Sequence, residues 1–395
     1  MMRLAMITET FLPDINGVSK TLGQLCRGLI SKGVEVDLVW PGVTDASFAG
    51  LSSWQAAGHQ LPGYNTLKFG WKLPGRTKNY WRGHPPDIFY IATEGPLGLD
   101  ALRYARRRKI PVITGFHTNF DQYLQHYRLG WLKKPLQAYL KAFHKASHLT
   151  LTPSYQQQQE LIQQGFGEVD LLGRGVDTQL FHPDRRSLSF RKELGVAEED
   201  LLVGYVGRLA GEKNLPLLLK SFAAIEKNHP RARLLLVGEG PWETEISKHC
   251  PSAIQVGCQQ GEALANFYAN LDLFLFPSLT ETYGNVVAEA LASGLPVVAF
   301  DRAAARELIR NGQSGWLVSL DEGESGFVNA SLRMAEEEHL RLVTGRLAFQ
   351  SMQQRGWEEV IERFYQLLMA NLQGGRTHEY KTQPTARTPQ LDRKM

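Results

Sequence analysis

At 395 residues the chain is about two to three times the usual domain length, so two domains with separate cores are expected. A composition of 43% hydrophobic and 21% charged residues excludes a fibrous or wholly disordered chain. The net charge of +4 is uneven: residues 1–180 carry 20 Lys and Arg against 13 Asp and Glu, and the remainder 24 against 27. The basic half carries no recognisable nucleic-acid module, so nucleic acid is not the expected partner.

The opening "MMRLAMITET" reads as a short strand (3–8) and lacks the apolar core and cleavage site of a secretory signal. A loop (9–18), a helix (19–32) and a strand (34–40) follow, and "DIFYIAT", "PVITGFH" and "HLTLTP" continue the series of short apolar strands. Strands alternating with helices imply parallel βαβ units whose sheet is covered on both faces. Residues 1–181 are therefore expected as one Rossmann-like, doubly wound domain.

"HPDRRSLSFRKELG" (182–195) is charged and has no long apolar run, which suits an interdomain connection. A second series, "LLVGYVGRL", "ARLLLVGEG", "AIQVGC", "LDLFLFPS" and "LPVVAF", predicts a second α/β domain over 196–355. In "GWEEVIERFYQLLMANL" (356–372), Trp357, Val360, Ile361, Phe364 and Leu367 or Leu368 share one helical stripe. The polar tail 373–395 has the composition of a disordered segment. The longest apolar runs are short and broken by Pro or Gly, so no helix is expected to span a bilayer and the expected location is cytoplasmic. Cys26, Cys250 and Cys258 show no C-x-x-C spacing and are expected as buried, reduced thiols.

The expected fold class is thus α/β, with two facing doubly wound domains. Ligands bind such folds outside the carboxyl ends of the strands, here along the interdomain cleft.

Several motifs point into that cleft. In "TFLPDINGVSKTLGQL" (10–25), Gly17 lies where a helix begins after the first strand and permits close approach of a ligand anion. His117, in "GFHTNF" after a strand, is expected to contact substrate hydroxyls, with Asp121 close by. In "VGRLAGEKN" (206–214), Arg208 and Lys213 follow a strand on a glycine-bearing loop and can neutralise a leaving diphosphate.

"SLTETYGNVVAEALASGLPVVAF" (278–300) spaces Glu281 and Glu289 eight apart. Within one helix that is about 12 Å of rise, beyond the roughly 5–9.5 Å of hydrolytic acid pairs. A helix starting near Gly284 or Asn285 instead presents its free N–H groups to a phosphate. Val286, Val287, Ala290 and Leu291 are then buried, Glu281 lies on the preceding loop and Glu289 one turn further in. Phosphate flanked by two hydroxyl-gripping acids describes a nucleotide sugar. The competing reading makes Glu281 a turn cap and Glu289 a solvated helix acid.

Other features carry less. "GRGVD" and "GEGPWE" hold G-x-G without the dinucleotide fingerprint, which argues against nicotinamide binding. His144 and His148 have metal-compatible spacing but no third ligand, and a partly exposed helix face is expected. There is no D-x-D, so no metal is expected to bridge a diphosphate. Residues 67–86 interleave Lys68, Lys72, Arg76, Lys78 and Arg82 with Phe69, Trp71, Tyr80 and Trp81, and "RRRK" (106–109) adds charge. That pattern suits an anionic lipid surface, giving a peripheral contact with the inner membrane; a solvated loop is the alternative.

Together "FLPDINGVSKT", "GRGVDTQLFHP", "VGRLAGEKN", "LLLVGEGP" and "PSLTETYGNVVAEALASGLPVVA" resemble the retaining glycosyltransferases of family 4, which have the GT-B fold, over residues 3–370. The variants here look most like GDP-mannose-dependent α-mannosyltransferases and the sulfoquinovosyl and glucuronosyl diacylglycerol synthases. The resemblance implies hexosyl transfer from a nucleotide sugar, with GDP-mannose favoured over a UDP sugar, to a lipid or oligosaccharide hydroxyl, with neither cofactor nor metal. It places Gly17 at the donor phosphates, His117 and Glu281 at the donor sugar, and Arg208 and Lys213 at the diphosphate. Asn285 and Val286, after Gly284, would offer backbone N–H groups, and Glu289 would hold the ribose. The final helix would cross back onto the first domain. A nucleotide-sugar 2-epimerase and a non-catalytic sugar-nucleotide sensor are the rival readings.

Overall fold

The computed structural model describes residues 1–14, 16–43, 49–60, 68–117, 133–281 and 283–373. Expectations resting on Leu67, the side chain of Lys68, Asp121 and the tail 374–395 lie outside them.

Strands β1 (Arg3–Ile7), β2 (Glu35–Trp40), β3 (Leu51–Gln55), β4 (Gly58–Gln60), β5 (Lys68–Gly70), β6 (Ile88–Ile91), β7 (Val112–Gly115), β8 (Leu149–Thr152) and β9 (Val169–Leu171) precede residue 182. All but β4 and β5 form one parallel sheet in the order β3-β2-β1-β6-β7-β8-β9, and β4 and β5 make a separate antiparallel pair. The strand order reverses between β1 and β6. On β1 the period of two is explicit: Leu4 and Met6 enter one core and Ala5 and Ile7 the other, so both faces are covered.

The second sheet, β12-β11-β10-β13-β14-β15, is built from β10 (Leu202–Val206), β11 (Arg233–Val237), β12 (Ile254–Gln255), β13 (Leu273–Phe276), β14 (Val297–Phe300) and β15 (Trp316–Val318). It is parallel throughout and reverses between β10 and β13. The chain is thus α/β with two Rossmann-like halves, and each has one switch point at its strands' carboxyl ends.

The segment 182–195 is not a free connection. It contains the helix Leu188–Glu193, and the Arg191 side chain is only 1% exposed. Its Nη1 donates to the Asn270 carbonyl (2.7 Å) and Asp272 (3.1 Å), and Nη2 to the carbonyls of Ala197 (3.1 Å) and Asp200 (2.6 Å). These charges tie the segment to the second half instead of keeping it in water. A buried guanidinium is tolerated where acceptors surround it.

The helix Trp357–Gln373 returns to the first half. Phe364, Leu367 and Leu368 share a core with Leu4, Met6, Leu22 and Leu25, and full burial of each is worth about 1.5–3 kcal/mol. Gly28 allows the close approach: a Cβ there would sit 2.3 Å from Ile361 Cδ1. Lys32 pairs with Glu362, and Arg363 with Asp170 at 2.7 Å.

Cys26 and Cys250 are buried, but Cys258 is exposed, contrary to expectation, on the loop after β12. Among the described residues no helix is long and apolar enough to cross a membrane.

Candidate active site

At the second switch point the chain leaves β10 and β13 side by side. Lys213 closes a 3-10 turn, Gly211–Lys213, and its Nζ donates to Glu281 Oε1 at 2.6 Å; Ser278 Oγ donates to the same oxygen at 3.0 Å. The two loops are stitched by Thr280 Oγ1 to the Glu212 carbonyl (2.9 Å) and Asn214 Nδ2 to the Pro277 carbonyl (3.3 Å). Lys213 and Glu281 are thus held as a partly buried pair. Arg208, on the same loop, is more exposed and lies 3.3 Å from Glu212 Oε1.

The helix Asn285–Ala292 starts where the E-x7-E spacing places it. Gly284 at its N-cap has φ +94°, a left-handed value that favours glycine. Among the described residues no side chain caps this end, so its N–H groups and the helix dipole are available to an anion. Val287, Ala290 and Leu291 are buried as expected, whereas Val286 is only half-buried. A shallow hollow beside this tip is walled by Phe276, Ser278, Glu281, Tyr283, Phe300 and Arg302; of the expected site residues only Glu281 lines it.

Glu289 is not a solvated helix acid. It is 8% exposed, and Tyr268 Oη donates to its Oε2 at 3.0 Å. Its Oε1 lies 4.0 Å from the Nζ of Lys20. Burial pushes the carboxyl above its ordinary range, and Lys20 and Tyr268 pull it back.

Lys20 comes from the first half, on the helix Gly17–Ser31. Asn16 caps that helix, its Oδ1 accepting from the N–H of Val18 (3.0 Å) and Ser19 (2.9 Å), while Ser19 Oγ accepts from the Asn16 N–H (3.3 Å). A Cβ on Gly17 would lie 3.4 Å from Asn285 Nδ2. Two helix N-termini, one from each half, therefore confront each other across the cleft, an arrangement that an intervening anion stabilises.

His117 is 8% exposed at the end of β7, and both ring nitrogens are engaged. Arg174 Nη2 lies 2.8 Å from Nδ1, and Tyr90 Oη 2.9 Å from Nε2. Arginine only donates, so Nδ1 accepts and the neutral ring carries its proton on Nε2. Burial, with help from Arg174 and His144, holds the His117 pKa well below its ordinary value. The ring thus reaches no substrate hydroxyl while this network stands.

Other buried polar groups gather at the first switch point. His144 is 1% exposed rather than on an open face: its Nε2 lies 3.3 Å from Glu94 Oε1 and its Nδ1 2.9 Å from Thr114 Oγ1. His148 Nδ1 instead accepts from the Val112 N–H at 3.1 Å, so the two imidazoles do not converge on a metal. Glu9, near Glu94, is pushed up to about 8 by burial and by that second carboxyl, against the Leu97 N–H.

The basic aromatic segment divides. Phe69 and Trp71 are 40% and 53% exposed, near exposed Lys72, Arg76 and Arg82. Trp81 turns inward and donates from Nε1 to Asp37 at 2.8 Å, Tyr80 packs on Trp54, and Lys78 pairs with Asp100 at 3.0 Å. Three of the eight described side chains of the interleaved pattern therefore belong to the core and its edge.

The structure joins Lys213 with Glu281, and Gly17 and Lys20 with Asn285 and Glu289. It leaves Arg208 at the rim. Lys20, Tyr268, Arg174 and Tyr283 were not singled out from sequence. Lys20 was findable, being one helical turn after Gly17.

Residues 200–337 match the family model described as glycosyl transferases group 1, and residues 15–180 the one described as glycosyltransferase family 4. The chain is 30% identical over 371 residues to a GDP-mannose-dependent alpha-mannosyltransferase of Corynebacterium glutamicum, covering 92% of this chain and 88% of that one. It is 30% identical over 354 residues to a sulfoquinovosyl transferase of Arabidopsis thaliana, covering 87% of this chain and 68% of that one. Among solved structures, sucrose-phosphate synthase from Thermosynechococcus elongatus superposes with a TM-score of 0.76 over 93% of this chain and 98% of that one, at 19% identity, a likeness of fold.

Proposed function

We propose that this chain, which belongs to glycosyltransferase family 4, transfers a mannosyl group from GDP-mannose to a hydroxyl of a lipid or glycan acceptor, with retention of configuration and without metal or cofactor. The observation that carries this reading is the Lys213–Glu281 pair at 2.6 Å beside the uncapped tip of the helix Asn285–Ala292. The donor follows the Corynebacterium relative, whose name specifies GDP-mannose.

In this reading the diphosphate sits at the helix tip, on the N–H groups of Asn285 and Val286, with Gly17 facing it. Lys213 and Arg208 stabilise charge that grows on the leaving oxygen. Glu281 grips the hexose hydroxyls and Glu289 the ribose. The acceptor attacks from the face the diphosphate leaves, and a diphosphate oxygen takes its proton. Lys213 and the helix dipole supply the positive charge that a metal would otherwise provide. Phe69, Trp71 and the cations around them offer a peripheral contact with an anionic inner-membrane surface.

The test is incubation with GDP, UDP and ADP sugars in excess chelator, with extracted lipids as acceptors. An α-mannosyl product formed from GDP-α-mannose at undiminished rate is expected. A β-linked product overturns retention, and loss of activity on chelation overturns metal independence. Donor incubated alone separates transfer from 2-epimerisation, because only an epimerase returns the isomerised sugar nucleotide.

A further inference from the structure

Arg174 and Arg191 are two guanidiniums with opposite surroundings: Arg191 is fully buried, and Arg174 is half-buried with its Nη1 sealed from solvent. Both are permanently charged. Arg191 meets carbonyls and Asp272. Among the described residues Arg174 meets no carboxylate: its Nη2 donates to the neutral His117 ring, and its Nη1 is buried with no hydrogen-bond partner. The groups that act electrostatically on it are the phenols of Tyr90 and Tyr283. A desolvated cation without a counter-charge is a cost that a fold retains only where something else offsets it.

Its position says what that is. Arg174 follows β9 in the first half, close enough to Tyr283 in the second for the phenol to act on it electrostatically. Tyr283 is two residues after Glu281 and lines the same hollow. The guanidinium therefore lies against His117 and near the Tyr283 phenol, on the side where Glu281 would hold the hexose.

We propose that Arg174 is an oxyanion subsite for the donor at that end of the cleft, taking a carboxylate or phosphate oxygen on Nη1. This rests on the transferase reading above. Nη1 is sealed from solvent in this arrangement of the halves, so the anion enters as they part. Two parts of a donor carry such an oxygen: an acid group on the transferred hexose, and the leaving diphosphate.

Calorimetric binding to the full chain separates them, using GMP, GDP, and the pairs GDP-mannose with GDP-mannuronate and UDP-glucose with UDP-glucuronate, which differ in a C6 carboxylate. If the hexose bears the anion, the wild type prefers the acidic sugar by about tenfold or more, and Arg174→Gln loses that preference while keeping its affinity for the neutral sugar. If the diphosphate bears it, Arg174→Gln weakens GDP by a similar factor and leaves GMP unchanged. Arg174→Lys, which keeps the charge but not the planar fork, retains part of either effect and serves if the Gln variant does not fold. Affinities unchanged in both variants, or lowered equally for GMP and every other ligand, overturn the subsite. A wild type that binds none of the six overturns the donor reading beneath it.

Discussion

Lys213 Nζ and Glu281 Oε1 stand 2.6 Å apart, although 68 residues separate them in sequence. Adjacent parallel strands β10 and β13 bring them together by delivering both loops to one switch point. In the proposed reaction this ammonium offsets the charge on the departing diphosphate. Lys213→Ala should lower kcat by about 10²–10³-fold, the scale of losing one such electrostatic group, while the melting temperature changes little. Steady-state turnover and a thermal melt check this, and unchanged turnover removes Lys213 from the mechanism.

Lys20 holds down the pKa of buried Glu289 from across the cleft. Removing that cation raises the pKa, so a higher pH is needed to ionise the carboxylate that, in the proposed reading, accepts the ribose hydroxyls. Lys20→Gln should move the acidic limb of the kcat/KM profile to higher pH. A limb that stays in place separates Lys20 from Glu289 function.

Gly284 occupies left-handed backbone at the helix tip. Gly284→Ala should cost about 1–2 kcal/mol and, by tilting the N–H groups away from the phosphate, raise the apparent Kd for nucleotide. Denaturant midpoints and nucleotide titration report the two effects separately.

Glu9 carries a pH dependence of stability. Its folded pKa, about 8, lies above the ordinary 4.5. Between those values the folded chain keeps a proton that the unfolded chain has lost, so stability falls as pH rises through the window. Glu9→Gln, uncharged throughout, should abolish that fall and melt above the wild type at pH 8. Parallel melting curves for the two from pH 5 to 8 would show that Glu9 is not the group responsible.

Phe364 is fully buried against Tyr90, with ring centroids 4.9 Å apart. Phe364→Ala should destabilise the first half by about 3–5 kcal/mol. In denaturant, probes of the first half should report an earlier transition than probes of the second, and a coincident shift of both would mean that the halves unfold as one unit.

Much of this was legible from periodicity and spacing. The strand–helix alternation, the stripe on the final helix and the helix start at Gly284 follow from local rules. What escaped was fixed by partners distant in sequence. Arg191 read as one charge of a polar connection because Asp272 and the Asn270 carbonyl, which receive its Nη1, lie far along the chain. Trp81 and Tyr80 looked like surface aromatics because Asp37 and Trp54, which take them inward, precede them by many residues. His117 was legible as cleft-facing, but not that Tyr90 and Arg174 occupy its nitrogens. Short pieces such as β4, β5 and β15 are too brief for a period of two to show.

The Val176 N–H donates to the Arg355 carbonyl at 3.0 Å, and Gly175 leaves room for Trp357: the outgoing and returning passages of the chain run side by side. A ribosome delivers Leu4, Met6 and Leu25 early but the helix that covers them last. The first half to be made is therefore the last to be completed, because its core closes only when the helix Trp357–Gln373 arrives.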